Sequence, residues 1–237
     1  MRVSSGIEGL DELLTGGFPD GTVNLVCGVA GSAKSLFGLQ FAYAGAREGE
    51  RSAFLALEES RENVLRAAHA YGFDLQMEEK RGTMRLLDLG EVRAACTSAD
   101  EASGHITDFP ALMGTVKALS GEFGMKRLVI DSVSAIALYY PTPDEFRREL
   151  FRFCRGLKEL GFTSMLIAES GKDGSLGQGV EQFVTDSVIV LGYENVKGEY
   201  RRTLTVYKMR FTRHDPYKHP FLIGEGGIEV DPEEVIY

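Results

Sequence analysis

For its first 185 residues this 237-residue chain alternates short apolar runs with helix-forming stretches, and that alternation narrows the fold more than any other feature. "TVNLVCG" (22–28) leads into "KSLFGLQFAYAGAREG", and "SAFLALEES" (52–60) into "RENVLRAAHAYGF". "KRLVIDSVSAI" (126–136) precedes "DEFRRELFRFCRGLKELG", and "TSMLIAES" (163–170) is the next burst. Near-continuous apolar strands separated by helices predict a mostly parallel sheet with helices on both faces. Beyond residue 186 the pattern changes. "SVIVLGYE", "RRTLTVYKMRF" and "PFLIGEGGIEV" follow one another without helices, with "NVKGEYR" as the turn between the first two. This predicts an antiparallel C-terminal extension of the same sheet. With no Pro/Gly/Ser linker and no internal repeat, residues 1–237 read as a single α/β domain.

Composition bounds the function classes. An apolar fraction of 43% and a charged fraction of 26% are those of a soluble globular chain. No apolar run approaches the roughly 18 residues of a membrane span, and "MRVSSGIEGLDELLTGG" lacks a secretory signal's apolar stretch. Cys27, Cys96 and Cys154 are widely spaced and odd in number, which predicts free thiols and a cytoplasmic address. The formal charge of −9 argues against a long nucleic-acid footprint. Arg147, Arg148, Arg152 and Arg155 are interleaved with Glu145, Glu149 and Glu159, as on a solvated helix face.

Chemistry enters at "CGVAGSAKS" (27–35). A strand ends, a glycine-containing turn follows, and a helix opens at about Lys34, which aims backbone N–H groups and the helix dipole at an anion. Gly28, Val29, Ala30, Gly31, Ser32, Ala33, Lys34, Ser35 and Leu36 form the candidate nucleotide-binding loop. Lys34 would reach the terminal phosphates of ATP, and the Ser35 hydroxyl would ligate Mg2+. The usual motif has glycine where this chain has Ala33. A positive φ at an alanine costs on the order of 1–2 kcal/mol, whereas a first helical residue with negative φ accommodates it. The position just before the lysine predicts the negative φ.

Three further sites complete the candidate machinery. "RLVIDS" ends a strand in Asp131, suited to hold magnesium from the second strand; its bland reading is a helix cap. "FLALEES" supplies Glu58 and Glu59, whose alternation sends one carboxylate towards a γ-phosphate and the other away, unless both merely favour a helix start. In "KMR", Lys208 and Arg210 are two apart and so share a strand face. They could neutralise a transferring phosphoryl group, or form a charged strand edge that blocks aggregation.

These stretches, with "SSGIEGLDELLTGGFPDGTVNLVCGVAGSAKSLFGLQFAYAGA" and "VTDSVIVLGYENVKGEYRRTLTVYKMRFTRHD", resemble the KaiC-like ATPases of the RecA superfamily along nearly the whole chain. The resemblance implies a RecA-like P-loop fold and a homo-oligomeric ring, usually hexameric, with ATP and Mg2+ between adjacent subunits. It implies phosphate and metal roles for Lys34 and Ser35, a metal-side role for Asp131, and paired catalytic roles for Glu58 and Glu59. Lys208 and Arg210 match residues that reach the neighbouring subunit's γ-phosphate. P-loops ending Ala-Lys-Ser also occur in the MCM helicases, which hydrolyse ATP.

Two departures qualify the resemblance. Phe211 stands where the family usually has glycine, so the turn there is expected to differ and to carry His214 away from a nucleotide. Gln182 and Phe183 occupy the positions of the clock proteins' phosphorylatable pair, which argues against autokinase activity. The loop "SGKDGSLGQGVEQ" (170–182) offers one cation, Lys172, and no aromatic, a poor composition for single-strand binding. The reading that follows is a regulatory Mg-dependent ATPase of the KaiC-like type, with an unknown protein partner and no membrane. The alternative is a module like the RecA/RadA paralogues that uses ATP to assemble on DNA or on a recombinase; a scaffold with negligible turnover is third.

Overall fold

A computed structural model describes residues 1–88, 90–91, 108–170, 179–196 and 198–236 of the chain. Cys96 and most of the 170–182 loop lie outside the described residues. The central strands are β3 (Val23–Gly28), β4 (Ser52–Ala56), β5 (Met84–Asp88), β6 (Arg127–Asp131) and β7 (Thr163–Glu169). They are followed by β8 (Ser187–Val196), β9 (Glu199–Met209), β10 (Lys218–Gly224) and β11 (Gly227–Val230). These nine form one sheet in the order β11-β10-β9-β8-β3-β7-β6-β4-β5. Pairing is parallel from β8 to β5 and antiparallel from β8 to β11, as the sequence pattern predicts. A small antiparallel pair, β1 (Arg2–Val3) with β2 (Phe18–Pro19), and α1 (Leu10–Leu13) precede it.

Every residue of β3 and β4 is buried, because helices cover both faces. On one face α2 (Lys34–Arg47), α3 (Arg61–Ala70) and α4 (Leu75–Arg81) pack Phe37 and Phe41 against Val26, Phe54, Val129 and Ile167. On the other, α5 (Phe109–Phe123), α6 (Val133–Ala137) and α7 (Pro143–Leu160) cover Leu25, Cys27, Leu55 and Leu166. Alternation along β3 therefore sends Val26 to one core and Leu25 and Cys27 to the other. Each fully buried leucine or phenylalanine contributes about 1.5–3 kcal/mol. Helix starts follow sequence signals: Ser60 Oγ accepts Asn63 N–H, and Thr142 Oγ1 accepts Glu145 N–H with Pro143 at the first position.

Arg127, 1% exposed, ties the start of β6 to its surroundings. Its guanidinium donates to the Ser4 and Phe41 carbonyls and pairs with Glu50 at 2.6 Å. Gly45 leaves room for it, since a Cβ there would meet Arg127 Nε at 2.3 Å. The clamp holds α2, and hence the loop preceding it, against the sheet. Cys27 and Cys154 are buried free thiols, and burial pushes each up to about 12, so neither is a nucleophile near neutral pH. Among the described residues no helix is long and apolar enough to cross a membrane.

Candidate nucleotide site

The parallel strands deliver their carboxyl ends to one rim of the sheet, where open α/β folds bind ligands. There the Gly28–Ser35 loop joins β3 to α2. Gly28 is sterically obligatory: a Cβ would lie 2.3 Å from the Leu191 carbonyl and 2.6 Å from Ser32 Oγ. The Val29 carbonyl accepts from Ser32 N–H, from Ser32 Oγ at 2.8 Å and from Lys34 Nζ at 3.0 Å. At the loop's apex, Gly31 has φ +80° and its carbonyl accepts from Arg202 Nε at 3.2 Å. Arg202 in turn lies over the Tyr193 ring, 4.8 Å from its centroid.

Ala33 corrects the sequence expectation. Its φ is +71°, left-handed, and it stands as the N-cap of α2 rather than as the first helical residue. The loop therefore keeps the backbone conformation that glycine adopts most cheaply, and the Cβ strain of about 1–2 kcal/mol falls on folding stability instead of on loop shape. Ala33→Gly is expected to raise unfolding free energy by about 1 kcal/mol, read as a higher urea midpoint. ATP affinity should change less than about tenfold, because the loop is already formed. A large gain in affinity with unchanged stability would contradict this. Phe211 repeats the pattern: its φ is +68°, so the turn after Arg210 holds the left-handed geometry of a glycine instead of departing from it.

Among the described residues, three acids act on Lys34 at this rim. Lys34 is partly desolvated, which lowers its pKa, and Glu169, Asp131 and Glu58 oppose that shift. Asp131 is pushed up to about 6, chiefly by burial and then by Glu58; a hydrogen bond with Ser35 and the charge of Lys34 work against the rise. Ser132, whose peptide with Asp131 is cis, donates from Oγ to Glu58 Oε1 at 2.9 Å. Glu59 turns away, and its Oε2 accepts from Asn63 Nδ2 at 3.0 Å. Both glutamates precede the Ser60 cap, outside the helix. The structure thus brings Lys34, Ser35, Asp131 and Glu58 together, and leaves Glu59 beside them facing α3.

Lys208 and Arg210 do not join this group. A register shift between Val188 and Ile189 falls just ahead of Lys208, which lies opposite Val188; β9 ends at Met209, so Arg210 lies just beyond the strand. The two-residue step from Lys208 to Arg210 is regular, with Met209 buried between them, and both cations approach Asp186. Lys208 Nζ donates to the Gln182 carbonyl at 2.8 Å and to Thr185 at 2.6 Å. Arg210 Nη1 lies 3.6 Å from Asp186 Oδ1. Burial lowers the Lys208 pKa, and the Arg210 charge adds to that shift.

Sequence reasoning passed over Glu169, Ser132 and Asp186. Glu169 is in register with Gly28 at the end of β7, and its N–H donates to Ser134 Oγ. Its signal was available as a strand-ending acid in "MLIAES". Ser132 and Asp186 carry no such signal, since their partners are distant in sequence.

Parallel strands, a phosphate-type loop opening a helix, and an acid ending the strand two places away define a P-loop ATPase fold of the RecA type. The comparisons with known proteins are specific. The sequence model described as the KaiC ATPase matches residues 3–235, and the chain belongs to that family. It is similar to a UPF0273 protein of Methanopyrus kandleri, 37% identical and covering 99% of this chain and 93% of that one. It is also similar to the circadian clock oscillator protein KaiC of Parathermosynechococcus lividus, 35% identical over 98% of this chain and 42% of that protein. Among solved structures, a KaiC-like protein of Pyrococcus horikoshii superposes with a TM-score of 0.84 at 35% identity, over 98% and 99% of the two chains.

Proposed function

We propose that this protein is an ATP-hydrolysing regulatory ATPase that works as a ring, probed most simply as a hexamer, with each nucleotide shared between two subunits. One observation carries the proposal. Arg210 N–H bonds to Asp186, whose own N–H bonds to Val23 at the start of β3, whereas the phosphate loop follows Gly28 at its end. Five strand residues at about 3.3 Å each separate the two levels by roughly 16 Å. Lys208 and Arg210 thus lie far from their own loop, which supports their acting on a second copy's site. Exposed Tyr207, Phe211 and Tyr217 beside them give that contact an apolar component.

In this reading Lys34 and the loop amides hold the phosphates, and Glu58 orients and deprotonates the attacking water. Glu59 backs Glu58 as the second of the paired carboxylates, and Lys208 and Arg210 stabilise charge on the neighbour's transferring phosphoryl. The residues fit Mg2+: Ser35 and Asp131, joined by a hydrogen bond, offer two oxygen donors side by side. Two protein oxygens plus phosphates is the donor set this ion prefers. Bound there, Mg2+ would neutralise charge on the β- and γ-phosphates.

Glu58→Gln should slow turnover by on the order of 10²–10³-fold with ATP binding intact, and Glu59→Gln by much less. Equal effects would mean that both act alike at the phosphate. Acid should also weaken magnesium binding. The fold favours protonated Asp131, so the ionised carboxylate that a metal needs is lost as pH falls through about 6. The same raised pKa gives the apoprotein extra stability at low pH, which disappears as pH rises through 6. Mg-dependent nucleotide affinity should fall between pH 7 and pH 5, and Asp131→Asn should remove that part of the dependence. An unchanged slope in the variant would place the titrating group elsewhere.

Steady-state ATPase assays with and without single-stranded DNA test the activity. Basal turnover unaffected by DNA supports the proposal. Turnover that appears only with DNA favours the DNA- or recombinase-assembling alternative, and no turnover in an assembled ring favours a nucleotide-sensing scaffold.

A further inference from the structure

Asp186 is 3% exposed in its side chain, yet it sits in the middle of three cations. Lys158 Nζ pairs with its Oδ1 at 2.7 Å, and Arg210 Nη1 lies 3.6 Å from the same oxygen. Lys208, half-buried, is fastened to the carbonyls of Gln182 and Thr185 just upstream. The aspartate itself is fixed to the sheet: Oδ2 accepts Val23 N–H at 3.1 Å, and its N–H donates to the Val23 carbonyl at 2.7 Å. Its carbonyl also accepts Arg210 N–H at 2.9 Å. Asp186 therefore grips Arg210 twice, once through the backbone and once through the side chain.

We infer that Asp186 is a positioning residue that aims Arg210 at the neighbouring subunit's nucleotide. The inference rests on the shared-site reading above. An arginine just past the end of a strand carries rotamer entropy that a reaching guanidinium must give up when it engages a phosphate. A carboxylate anchored to β3 narrows those rotamers beforehand. At 3.6 Å the contact is loose, so it orients the guanidinium without consuming its donors. Charge points the same way: one anion cannot neutralise Lys158, Lys208 and Arg210, so the cluster stays positive towards whatever faces it. Anchoring to β3 also links the finger to the strand that carries the subunit's own phosphate loop.

A rival account has Asp186 simply neutralising Lys158 to hold α7 on the sheet. Asp186→Asn and Lys158→Ala separate the two. Asparagine keeps the shape and the bond from Val23 N–H but loses the charge. We expect Asp186→Asn to lower turnover at least tenfold while its own ATP affinity stays within about twofold, and Lys158→Ala to stay within about threefold of wild type in turnover. Mixed rings give the reading that a structural defect would not. Asp186→Asn protomers should regain activity when mixed with Lys34→Ala protomers, whose Arg210 is intact, and should gain nothing with Arg210→Ala protomers. Full turnover in Asp186→Asn, recovery with Arg210→Ala, or a tenfold loss in Lys158→Ala would overturn the inference. If Asp186→Asn does not fold, the Lys158→Ala turnover decides alone. Mixing Lys34→Ala with Arg210→Ala is the control: no recovery there sinks the shared site and this inference with it, whereas recovery there with failure above sinks this inference only.

Discussion

Lys34→Ala will lose ATP binding by a hundredfold or more, the largest binding effect expected of any single change in this chain. Among the described residues, Lys34 is the cation that Asp131, Glu58 and Glu169 act on at the rim. Its removal takes away a partner for the phosphates and leaves three carboxylates facing a polyanion in a partly desolvated site, where charge is poorly screened. Its other contact is a bond to the Val29 carbonyl inside the loop. That single net hydrogen bond contributes only about 0.5–1.5 kcal/mol, so the variant should still fold. Titration calorimetry with ATP and Mg2+ on a variant of unchanged urea midpoint reads the effect. A dissociation constant within tenfold of wild type would show that the loop amides and helix dipole alone hold the nucleotide. It would also remove Lys34 as the anchor of the mechanism.

Much of the architecture was legible because it rests on local pattern. Apolar runs such as "RLVID" and "SMLIA" became parallel strands where alternation with helices placed them, and the run after residue 186 became the antiparallel extension. Asp131 and Glu58 were legible as acids ending strands that a parallel sheet must bring to the phosphate loop. What failed had a different origin. The φ of Ala33 is set by how α2 meets β3, and Ala33 packs as a partly buried residue against the α2-side core. Local helix propensity, worth a few tenths of a kcal/mol, lost to that tertiary demand. The register shift just ahead of Lys208 was hidden too, because residue spacing says nothing about bulges. Asp186 was invisible for a third reason: Val23, Lys158 and Arg210 reach it from 163, 28 and 24 positions away.

Arg210→Ala should lower turnover steeply, towards the ~10³-fold that marks an arginine finger supplied in trans, with little change in ATP affinity. The asymmetry follows from position. The side chain is 46% exposed and level with the start of β3, at the opposite end of that strand from its own subunit's phosphate loop. Among the described residues its ion pair is the loose one to Asp186, which Lys158 also pairs at 2.7 Å, so truncation leaves no buried charge stranded and the fold should tolerate it. If the guanidinium acts on a neighbour's phosphoryl group, turnover per subunit must rise with protein concentration as subunits assemble, then level off. Complementation gives the sharper reading. Lys34→Ala protomers retain Arg210, and Arg210→Ala protomers retain the phosphate loop. In a mixed ring some intact loops must face intact fingers, so activity should recover in part, to an extent set by the mixing ratio. A proven monomer with full activity would contradict the shared site. So would verified mixed rings as inactive as either parent. The same titration also measures how many subunits one nucleotide requires: activity following the product of the two protomer fractions means that each site draws on two chains.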